Sequence, residues 1–397
     1  MKVALVAEWL DAWRGGAETS TLQFLHHLVD RGVEVHVMTR SRPSPRPGLF
    51  IHTVGGASMS RTRRSMTFAH RVEHMLGEDR FDIIHAISPC RLATVYQPRG
   101  GTVAETVERN LALLSSPQAR HLKRYANRLN LKQRYLLRLE RTLLGGRDGP
   151  VVVAISNYVV DQLQRHYGLS GKRVCKIFNA VDPDPSSPEE RAGHRREIRR
   201  EYGIGEREIL AVQVAHNFKL KGVRRWMEAM SLLRRRGRDD LRALVIGRGD
   251  TQHWHRLAAR MGLNRHLAFT GPTDRVRAFL HAADVLVHPT YYDPCSRVVL
   301  EAMVSGLPCV TTKWDGASEM IMHGENGLVL DNPTHVVELA DLVDSLRHGG
   351  TRRRVGEAAV GIAPYVSMDR HAAELHALYE SLVQVPQTTR SEPISFV

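Results

Sequence analysis

Short apolar runs alternate with longer amphipathic stretches along the first half of the chain. Strands are predicted at residues 2–7, 33–39, 81–86, 93–96 and 151–155, and helices at residues 16–31 and 65–76. Short buried strands that alternate with helices favour a parallel, doubly wound α/β sheet.

The same alternation restarts in the second half. Strands are predicted at residues 209–214, 242–246, 267–270, 285–288, 309–312 and 327–330, and helices at residues 222–236, 335–346 and 368–383. Because 397 residues exceed one ordinary domain, two domains are the expectation. A turn-rich segment with three prolines separates the halves. The predicted division is an amino-terminal domain at 1–178, a linker at 179–188, a second domain at 189–366, a terminal helix at 367–384 and a disordered tail at 385–397.

Composition limits where the protein works. No apolar run approaches the ~20 residues that cross a membrane, and the apolar stretch in residues 1–8 is too short for a signal peptide. The four cysteines are scattered, without the C-x-x-C spacing of zinc sites or a disulfide framework. We therefore expect a cytoplasmic protein with reduced thiols.

The positive charge is concentrated in one segment. The formal net charge is +14, and nine Arg or Lys residues against one Glu lie between residues 118 and 147. Leucines and a tyrosine recur there at helical spacing, which predicts a basic amphipathic helix. Two interpretations stay open: a solvated face over a core stripe, or docking on an anionic membrane surface at the inner membrane face.

Two carboxylates flank a predicted helix start in the second half. The run 285–287 ends in a Pro-bearing loop, a helix begins near Ser296, and Asp293 and Glu301 lie eight residues apart. Free N–H groups in the first turn of a helix attract phosphate, and carboxylates bind sugar hydroxyls well. The spacing alone also fits an acidic pair on a solvated helix, but the combination is what a nucleotide sugar needs.

Two further loops follow first strands. Gly15 and Gly16 open the first predicted helix, where paired glycines permit positive φ and close approach to a phosphate or a sugar ring. Without the full G-x-G-x-x-G spacing, a plain tight turn fits as well. Lys219 and Lys221-Gly222 follow strand 209–214, although lysines in a loop are common on any protein surface.

The stretch from Asp293 to Pro308 resembles a known signature. Retaining glycosyltransferases of the family that includes sucrose synthase, mannosyltransferases and lipopolysaccharide core glucosyltransferases (glycosyltransferase family 4) read E-x-F-G-x4-E-A-x-A-x-G-x-P-V. Here Asp293 replaces the first glutamate and Cys295-Ser296 replaces Phe-Gly, while the segment from Glu301 onward matches. The first half looks most similar to the lipopolysaccharide core heptose glucosyltransferases.

The resemblance implies a GT-B fold, with two Rossmann-like domains facing across a cleft and the last helix crossing back to the amino-terminal domain. It also implies retaining transfer of a hexose from a nucleoside diphosphate sugar, with UDP expected, to a glycan or lipid-linked acceptor in cell-envelope polysaccharide or lipopolysaccharide biosynthesis. The nucleotide sugar is a co-substrate, and no cofactor or metal is expected.

On the donor side the resemblance assigns roles residue by residue. Glu301 would bind the ribose and Asp293 the sugar hydroxyls, with the first turn of the helix at Ser296, Arg297 and Val298 facing the diphosphate. Gly15, Gly16 and Lys221 would line the diphosphate too. The family's partner arginine in the Lys221 loop is missing, so Lys219 is the substitute candidate, and Gly271 would lie at the base pocket.

On the acceptor side the chain departs from the family. Many members carry a histidine soon after the strand at 93–96, whereas this chain has Arg99 in a Pro-Arg-Gly-Gly turn. Arg99 is the candidate for contact with a phosphate or the acceptor, although a guanidinium cannot serve as a general base. His85 is the fallback, but a histidine at a strand end is more often a packed structural residue. The catalytic candidates are thus Asp293, Lys221 and Arg99.

Other functions stay open at this point. A nucleotide-sugar 2-epimerase of the same fold would also hold a nucleoside diphosphate. A non-catalytic nucleic-acid binder would explain the charge, but aromatic residues total 6% and form no stacking platform with basic residues, so nucleic acid is not expected as a partner. A dehydrogenase is disfavoured because neither glycine loop is followed by a persuasive ribose-binding acid.

Overall fold

The computed structural model describes residues 1–11, 15–55, 61–114, 116–146 and 149–384. The expected tail at 385–397 lies outside these residues. Within them, the first domain is built on a seven-stranded sheet with strand order β3-β2-β1-β4-β5-β6-β7, in which each strand runs parallel to its neighbours. Its strands are β1 (Lys2–Val6), β2 (Glu34–Thr39), β3 (Leu49–Thr53), β4 (Ile83–Ala86), β5 (Val95–Tyr96), β6 (Val151–Ala154) and β7 (Val174–Lys176).

Helices cover both faces of this sheet, as parallel strands require, because their connections must cross over. The helices are α1 (Gly16–Asp30), α2 (Arg61–Glu78), α3 (Val103–Ala112), α4 (Pro117–Leu129), α5 (Leu131–Gly145) and α6 (Asn157–Tyr167). The α1 helix buries Phe24, Leu25 and Leu28, at the i, i+1 and i+4 positions of one face.

The second domain repeats the design on six strands in the order β10-β9-β8-β11-β12-β13. The strands are β8 (Ile209–Val214), β9 (Leu241–Ile246), β10 (Leu267–Gly271), β11 (Val285–Val287), β12 (Cys309–Thr312) and β13 (Leu328–Leu330). The helices are α7 (Pro188–Glu201), α8 (Val223–Arg235), α9 (Thr251–Arg260), α10 (Val276–Ala282), α11 (Arg297–Val304), α12 (Val336–Ser345) and α13 (Gly349–Ala359), and α14 (Met368–Val383) follows them. The predicted linker at 179–188 lies between β7 and α7, apart from its last residue, which begins α7.

The last helix returns to the first domain, as expected. Leu375 and Tyr379 of α14 are fully buried in one cluster with Leu5 of β1 and Phe24 of α1. Burial of one such side chain is worth about 1.5–3 kcal/mol. The core of the first domain therefore includes residues from the far end of the chain.

The basic segment differs from the prediction of a single helix. It consists of α4 and α5, which meet at Asn130, whose side chain accepts a hydrogen bond from Gln133 N at 3.1 Å and begins the second helix. Leu139 and Leu143 of α5 are buried, whereas α4 has no buried residue. The apolar stripe thus enters the core only in its second half. Among the described residues no helix combines the length and apolarity that a membrane span requires.

Candidate active site

Loops at the carboxyl ends of both parallel sheets meet in the cleft between the domains, the usual ligand site of doubly wound folds. A Cβ atom added to Gly16, at the first turn of α1, would lie 3.3 Å from Arg297 Cδ at the first turn of α11. A Cβ added to Gly15 would lie 3.9 Å from the ring of His216, in the loop after β8. The glycine loop and the two carboxyl-domain loops therefore line one space.

The glycines serve close approach rather than unusual backbone angles. Gly15 has a φ of 165°, which is extended backbone, and Gly16 begins the α-helix. The positive φ that paired glycines permit is therefore not used here. What favours small residues is the short distance to Arg297 and to the Glu18 carboxylate, which would lie 3.2 Å from a Cβ at Gly15.

Gly222 sets the direction of the loop at residues 217–222, which carries Lys219 and Lys221 and is called the lysine loop. Its φ is 69°, in the left-handed region, and a Cβ there would lie 2.0 Å from the carbonyl oxygen of Pro289. The loops 217–222 and 289–292 are joined by the N–H of Tyr291, which donates to Leu220 O at 2.8 Å. This packing directs the Lys221 side chain toward Asp293.

Lys221 and Asp293 form an ion pair at the centre of the site. The Lys221 ammonium donates to an Asp293 carboxylate oxygen and, at 3.1 Å, to Tyr292 O. His288 Nε2 lies 3.4 Å from the same carboxylate oxygen. Burial raises the pKa of Asp293, but Lys221 and His288 outweigh burial and hold that pKa well below its usual range. Asp293 is therefore ionised at neutral pH and able to accept hydrogen bonds from hydroxyls.

A second carboxyl group, that of Asp315 after β12, holds the residue that precedes α11 in place. One of its oxygens accepts hydrogen bonds from Ser296 N at 2.8 Å and Ala317 N at 2.9 Å, and the other accepts from Thr311 Oγ1 at 2.8 Å. Burial, and then the charge of Asp293, raise the pKa of Asp315 to about 6. The Ser296 N–H is thus already used, which leaves the first-turn N–H groups of Arg297 and Val298 to face a ligand.

Glu301 lies one turn into α11 and pairs with Arg297, whose Nε donates to its carboxylate at 2.6 Å. The Glu301 side chain is 28% exposed and that of Arg297 is 12% exposed. The acid expected to bind ribose is therefore reachable from the cleft and held by its neighbour.

Residues of the first domain and of the linker make hydrogen bonds to the loop around Asp293 (residues 289–296, the acidic loop) at three points. The Tyr292 hydroxyl lies 3.2 Å from Gly100 O and 3.2 Å from Gln162 Oε1. Ser156 Oγ donates to Pro294 O at 2.6 Å, and Asn179 Nδ2 donates to Cys295 O at 3.0 Å. The position of Asp293 is consequently set by both domains.

Arg99 is buried next to Asn179 and is 5% exposed. Its guanidinium donates to Gln97 Oε1 at 3.1 Å, to Asn179 Oδ1 at 2.9 Å and to Ser20 Oγ, and none of these partners carries a negative charge. Burial, and then the charge of Arg297, lower the pKa of Arg99 to about 9. Its catalytic role remains a prediction. Through Asn179 it is linked to Cys295 in the acidic loop.

The remaining candidates lie at the edges of the site or under it. His85 is fully buried and hydrogen-bonded to the Tyr379 hydroxyl of α14, and burial lowers its pKa to about 3. Lys219 is exposed, and Gly271 ends β10 with a φ of 78° and with open space where a side chain would begin. The packing of His85 fits the structural alternative weighed for it.

Sequence reasoning missed Asp315, Tyr292 and Asn179. Asp315 follows β12 and reaches Ser296 only because β12 pairs with β11 in parallel register. A carboxyl after a buried strand was the available signal, but its partner lies 19 residues away. Tyr292 and Asn179 act across the domain boundary, which no local pattern reveals.

Two facing Rossmann-like domains, a returning last helix and a cleft lined by helix N-termini, a lysine and carboxylates define a GT-B glycosyltransferase. The chain belongs to the family 4 glycosyltransferases: residues 14–185 match the Glycosyltransferase Family 4 model and residues 194–360 match the Glycosyl transferases group 1 model. The expected fold and the expected class of enzyme, one that transfers glycosyl groups, are thereby confirmed.

Proteins with similar sequences or structures match more than nine-tenths of the chain. The lipopolysaccharide glucosyltransferase WaaG of Escherichia coli strain K12 is 24% identical over 366 residues, which cover 92% of each protein. A crystal structure of WaaG superposes with a TM-score of 0.81 at 22% identity, covering 95% of this chain and 99% of that chain. Anabaena HepE in complex with UDP-glucose has a TM-score of 0.71 at 17% identity, over 96% and 100% of the two chains.

Proposed function

We propose that this protein is a retaining glycosyltransferase that moves a hexose from a UDP-sugar to a glycan or lipid-linked acceptor in cell-envelope polysaccharide or lipopolysaccharide biosynthesis. One observation carries the proposal: Gly16, Lys221, Asp293 and Glu301 line a single cleft between the domains. The name of the relative WaaG and the UDP-glucose bound to HepE support the choice of donor and pathway.

The geometry suits a nucleoside diphosphate. Its two phosphates would lie between the first turns of α1 and α11, where unpaired N–H groups and about half a positive charge at each helix end attract anions. Lys221 would turn from Asp293 toward a phosphate oxygen or bridge the two. Glu301 would accept hydrogen bonds from ribose hydroxyls, and ionised Asp293 from hydroxyls of the sugar.

The reaction then needs little more than charge stabilisation and proximity. The bond between the sugar C1 and the diphosphate oxygen breaks, and the acceptor oxygen bonds to C1 from the same face. The acceptor proton passes to the departing phosphate oxygen. Lys221 and the two helix N-termini stabilise the charge that develops on the leaving group, so the mechanism requires no resident cofactor or metal. A closed cleft excludes water and limits hydrolysis of the donor.

The test is nucleotide release with a panel of UDP-, GDP- and ADP-sugars, with and without lipid-linked acceptors. We expect release above that of a Glu301→Ala variant, and a product whose anomeric configuration, read by NMR, matches the donor. Failure of every donor to exceed that control would refute the catalytic proposal. An inverted product would refute retention, and epimerised sugar formed without acceptor would indicate a 2-epimerase instead.

The α4 helix supports a location at an anionic membrane surface. Its apolar residues project into solvent: Leu122 is 72% exposed, Tyr125 is 62% exposed and Leu129 is 63% exposed. Arg120, Lys123, Arg124 and Arg128 share the same helix. An apolar stripe flanked by cations is suited to the headgroup region of anionic lipid, where each basic residue adds about 1 kcal/mol. We infer that the enzyme docks peripherally on the inner membrane face, close to a lipid-linked acceptor.

Vesicle co-sedimentation tests this docking. Phosphatidylglycerol vesicles should retain the protein, whereas phosphatidylcholine vesicles should not, and raised salt should weaken binding. The triple variant Leu122→Ser/Tyr125→Ser/Leu129→Ser should lose it. Met322→Ser is the matched control, since Met322 is 60% exposed on the other domain. Equal binding by the triple variant would contradict the inference.

A further inference from the structure

Arg297 places its side chain between the two domains. It is the first residue of α11. A Cβ at Gly16 would lie 3.3 Å from its Cδ and 3.4 Å from its Cβ, so its side chain lies against the first turn of α1. The Arg297 side chain therefore lies beside the gap between the two helix N-termini, where the proposed function places a diphosphate.

The hydrogen bonds of this guanidinium are incomplete. Nε donates to Glu301 at 2.6 Å, whereas Nη1 is buried without an acceptor among the described residues. A charged donor that is withdrawn from water without a partner is costly. An acceptor supplied by a ligand would remove that cost.

A second buried cation lies nearby. Arg99 makes hydrogen bonds to Ser20, Gln97 and Asn179, which are neutral, and burial, followed by the charge of Arg297, lowers its pKa. Of these two guanidinium groups, Arg297 is the one that pairs with the Glu301 carboxylate. An anion in the cleft would offset this local excess of positive charge.

The lysine loop does not supply a guanidinium of its own. Position 220, beside Lys221, is a leucine that is buried to 8% exposure, and Lys219 is exposed. In this loop, Lys221 is the cation that points into the cleft. A second cation for a diphosphate would have to be Lys219 or come from another element.

We propose that the Arg297 side chain is the second cation of the donor site: its Nη atoms bind the diphosphate of the nucleotide sugar while its Nε holds Glu301 toward the ribose. This rests on the proposed function and extends it, because the sequence assigned only the backbone N–H of Arg297 to the diphosphate. A guanidinium is suited to this double task, since its planar fork contacts two acceptors at once, whereas an ammonium acts as a point charge.

The experiment compares UDP with uridine by isothermal titration, with uridine measured by displacement of UDP. Arg297→Leu should weaken UDP binding at least 10-fold and change uridine binding no more than about 3-fold, since one charge-assisted hydrogen bond corresponds to roughly 10- to 100-fold in affinity. Lys219→Ala should weaken UDP binding by less than Arg297→Leu. Arg224→Leu is the matched control: Arg224 pairs with Glu228 at the same i,i+4 spacing, but it is 67% exposed.

Two results would overturn the proposal. One is UDP binding by Arg297→Leu at wild-type affinity; the other is an equal loss for UDP and uridine, which would mean that Arg297 acts through Glu301 alone. If Arg297→Leu does not fold, Arg297→Lys is the variant to measure. We expect its affinity for UDP to be about 3- to 10-fold lower than that of wild type, and an unchanged affinity would contradict the proposal. If the wild-type protein binds none of UDP, GDP and ADP, the proposed function itself fails, which is a separate outcome.

Discussion

Lys221 and Asp293 lie 72 residues apart on two loops and meet as an ion pair in the cleft. Their side chains are 18% and 16% exposed, so the pair is largely shielded from water. Two residues that the sequence assigned to different parts of the donor thus hold each other in place before any donor binds. A diphosphate must share or displace that contact.

Replacement of Lys221 by alanine should therefore reduce both activity and stability. It leaves Asp293 mostly buried beside His288, and loss of one partner of a buried pair costs about 3–5 kcal/mol, less for a pair that is partly exposed. We expect a lower midpoint in thermal unfolding and a catalytic efficiency that falls by roughly two orders of magnitude or more, because both the donor and the leaving group lose a cation. Lys313→Ala is the control, because Lys313 pairs with Asp331 at 2.8 Å with both side chains more than 60% exposed. Equal behaviour of the two variants would contradict this prediction.

Asp315 should make stability depend on pH in mildly acidic solution. Its pKa in the folded protein is about 6, above the ordinary value of 3.8, so protonation favours the fold. That contribution is complete below pH ~4 and is lost as the pH rises through ~6. Asp315→Asn keeps an acceptor for Ser296 N without the charge. The stability of this variant relative to wild type should therefore rise between pH 4 and pH 7.

Urea unfolding at several pH values measures this effect. If the free energy of unfolding changes with pH in the same way for wild type and Asp315→Asn, the Asp315 carboxyl does not titrate as described. Asp315→Ala serves as the comparison. It also removes the acceptor for two buried N–H groups and should therefore be about 1–3 kcal/mol less stable than Asp315→Asn at every pH.

Gly222→Ala should be far more damaging than an ordinary glycine substitution. The residue has a φ of 69°, and its new Cβ would lie 2.0 Å from Pro289 O. Gly168 has nearly the same φ, 65°, with open space around it, so Gly168→Ala isolates the backbone cost of about 1–2 kcal/mol. We expect Gly222→Ala to lose clearly more stability than this control in chemical unfolding. Equal losses would mean that the contact with Pro289 relaxes freely.

Tyr292→Phe should loosen the closed arrangement of the domains. It removes a hydroxyl that contacts Gly100 O and Gln162 Oε1 across the cleft. The stability cost should be modest, about 1 kcal/mol, but hydrolysis of donor without acceptor should rise relative to transfer, since closure excludes water. The ratio of hydrolysis to transfer is the measurement. An unchanged ratio would indicate that the hydroxyl contributes to packing alone.

Much of the fold follows from local pattern. Strands such as β8 and β12 read as apolar runs between turn residues and were predicted at their observed bounds, Ile209–Val214 and Cys309–Thr312. The short edge strands β3 and β7 and helices such as α3 and α6 were not predicted. The sequence did contain a signal for these two helices. Thr102 and Ser156 are typical N-cap residues, and each accepts a hydrogen bond from the N–H three residues further on.

The site was predictable only in part, for a physical reason. The assignments of Gly16, Lys221, Asp293 and Glu301 came from short motifs, each within one loop and the start of its helix, and from their resemblance to a family signature. The contacts of Asp315 with Ser296 and of Asn179 with Cys295 depend on strand register and on how the domains meet. The exposed stripe of α4 could not be told from a core stripe either, because amphipathic spacing does not say what covers the apolar face.

The return of α14 has a consequence for dissection of the protein. A fragment that ends at the linker would leave Phe24 and Leu5 without Tyr379 and Leu375, and so would present a bare apolar groove to solvent. The first domain consequently depends on α14, and cleavage at the linker would separate it from part of its own core. A fragment meant to represent the first domain would have to carry α14 as an added segment.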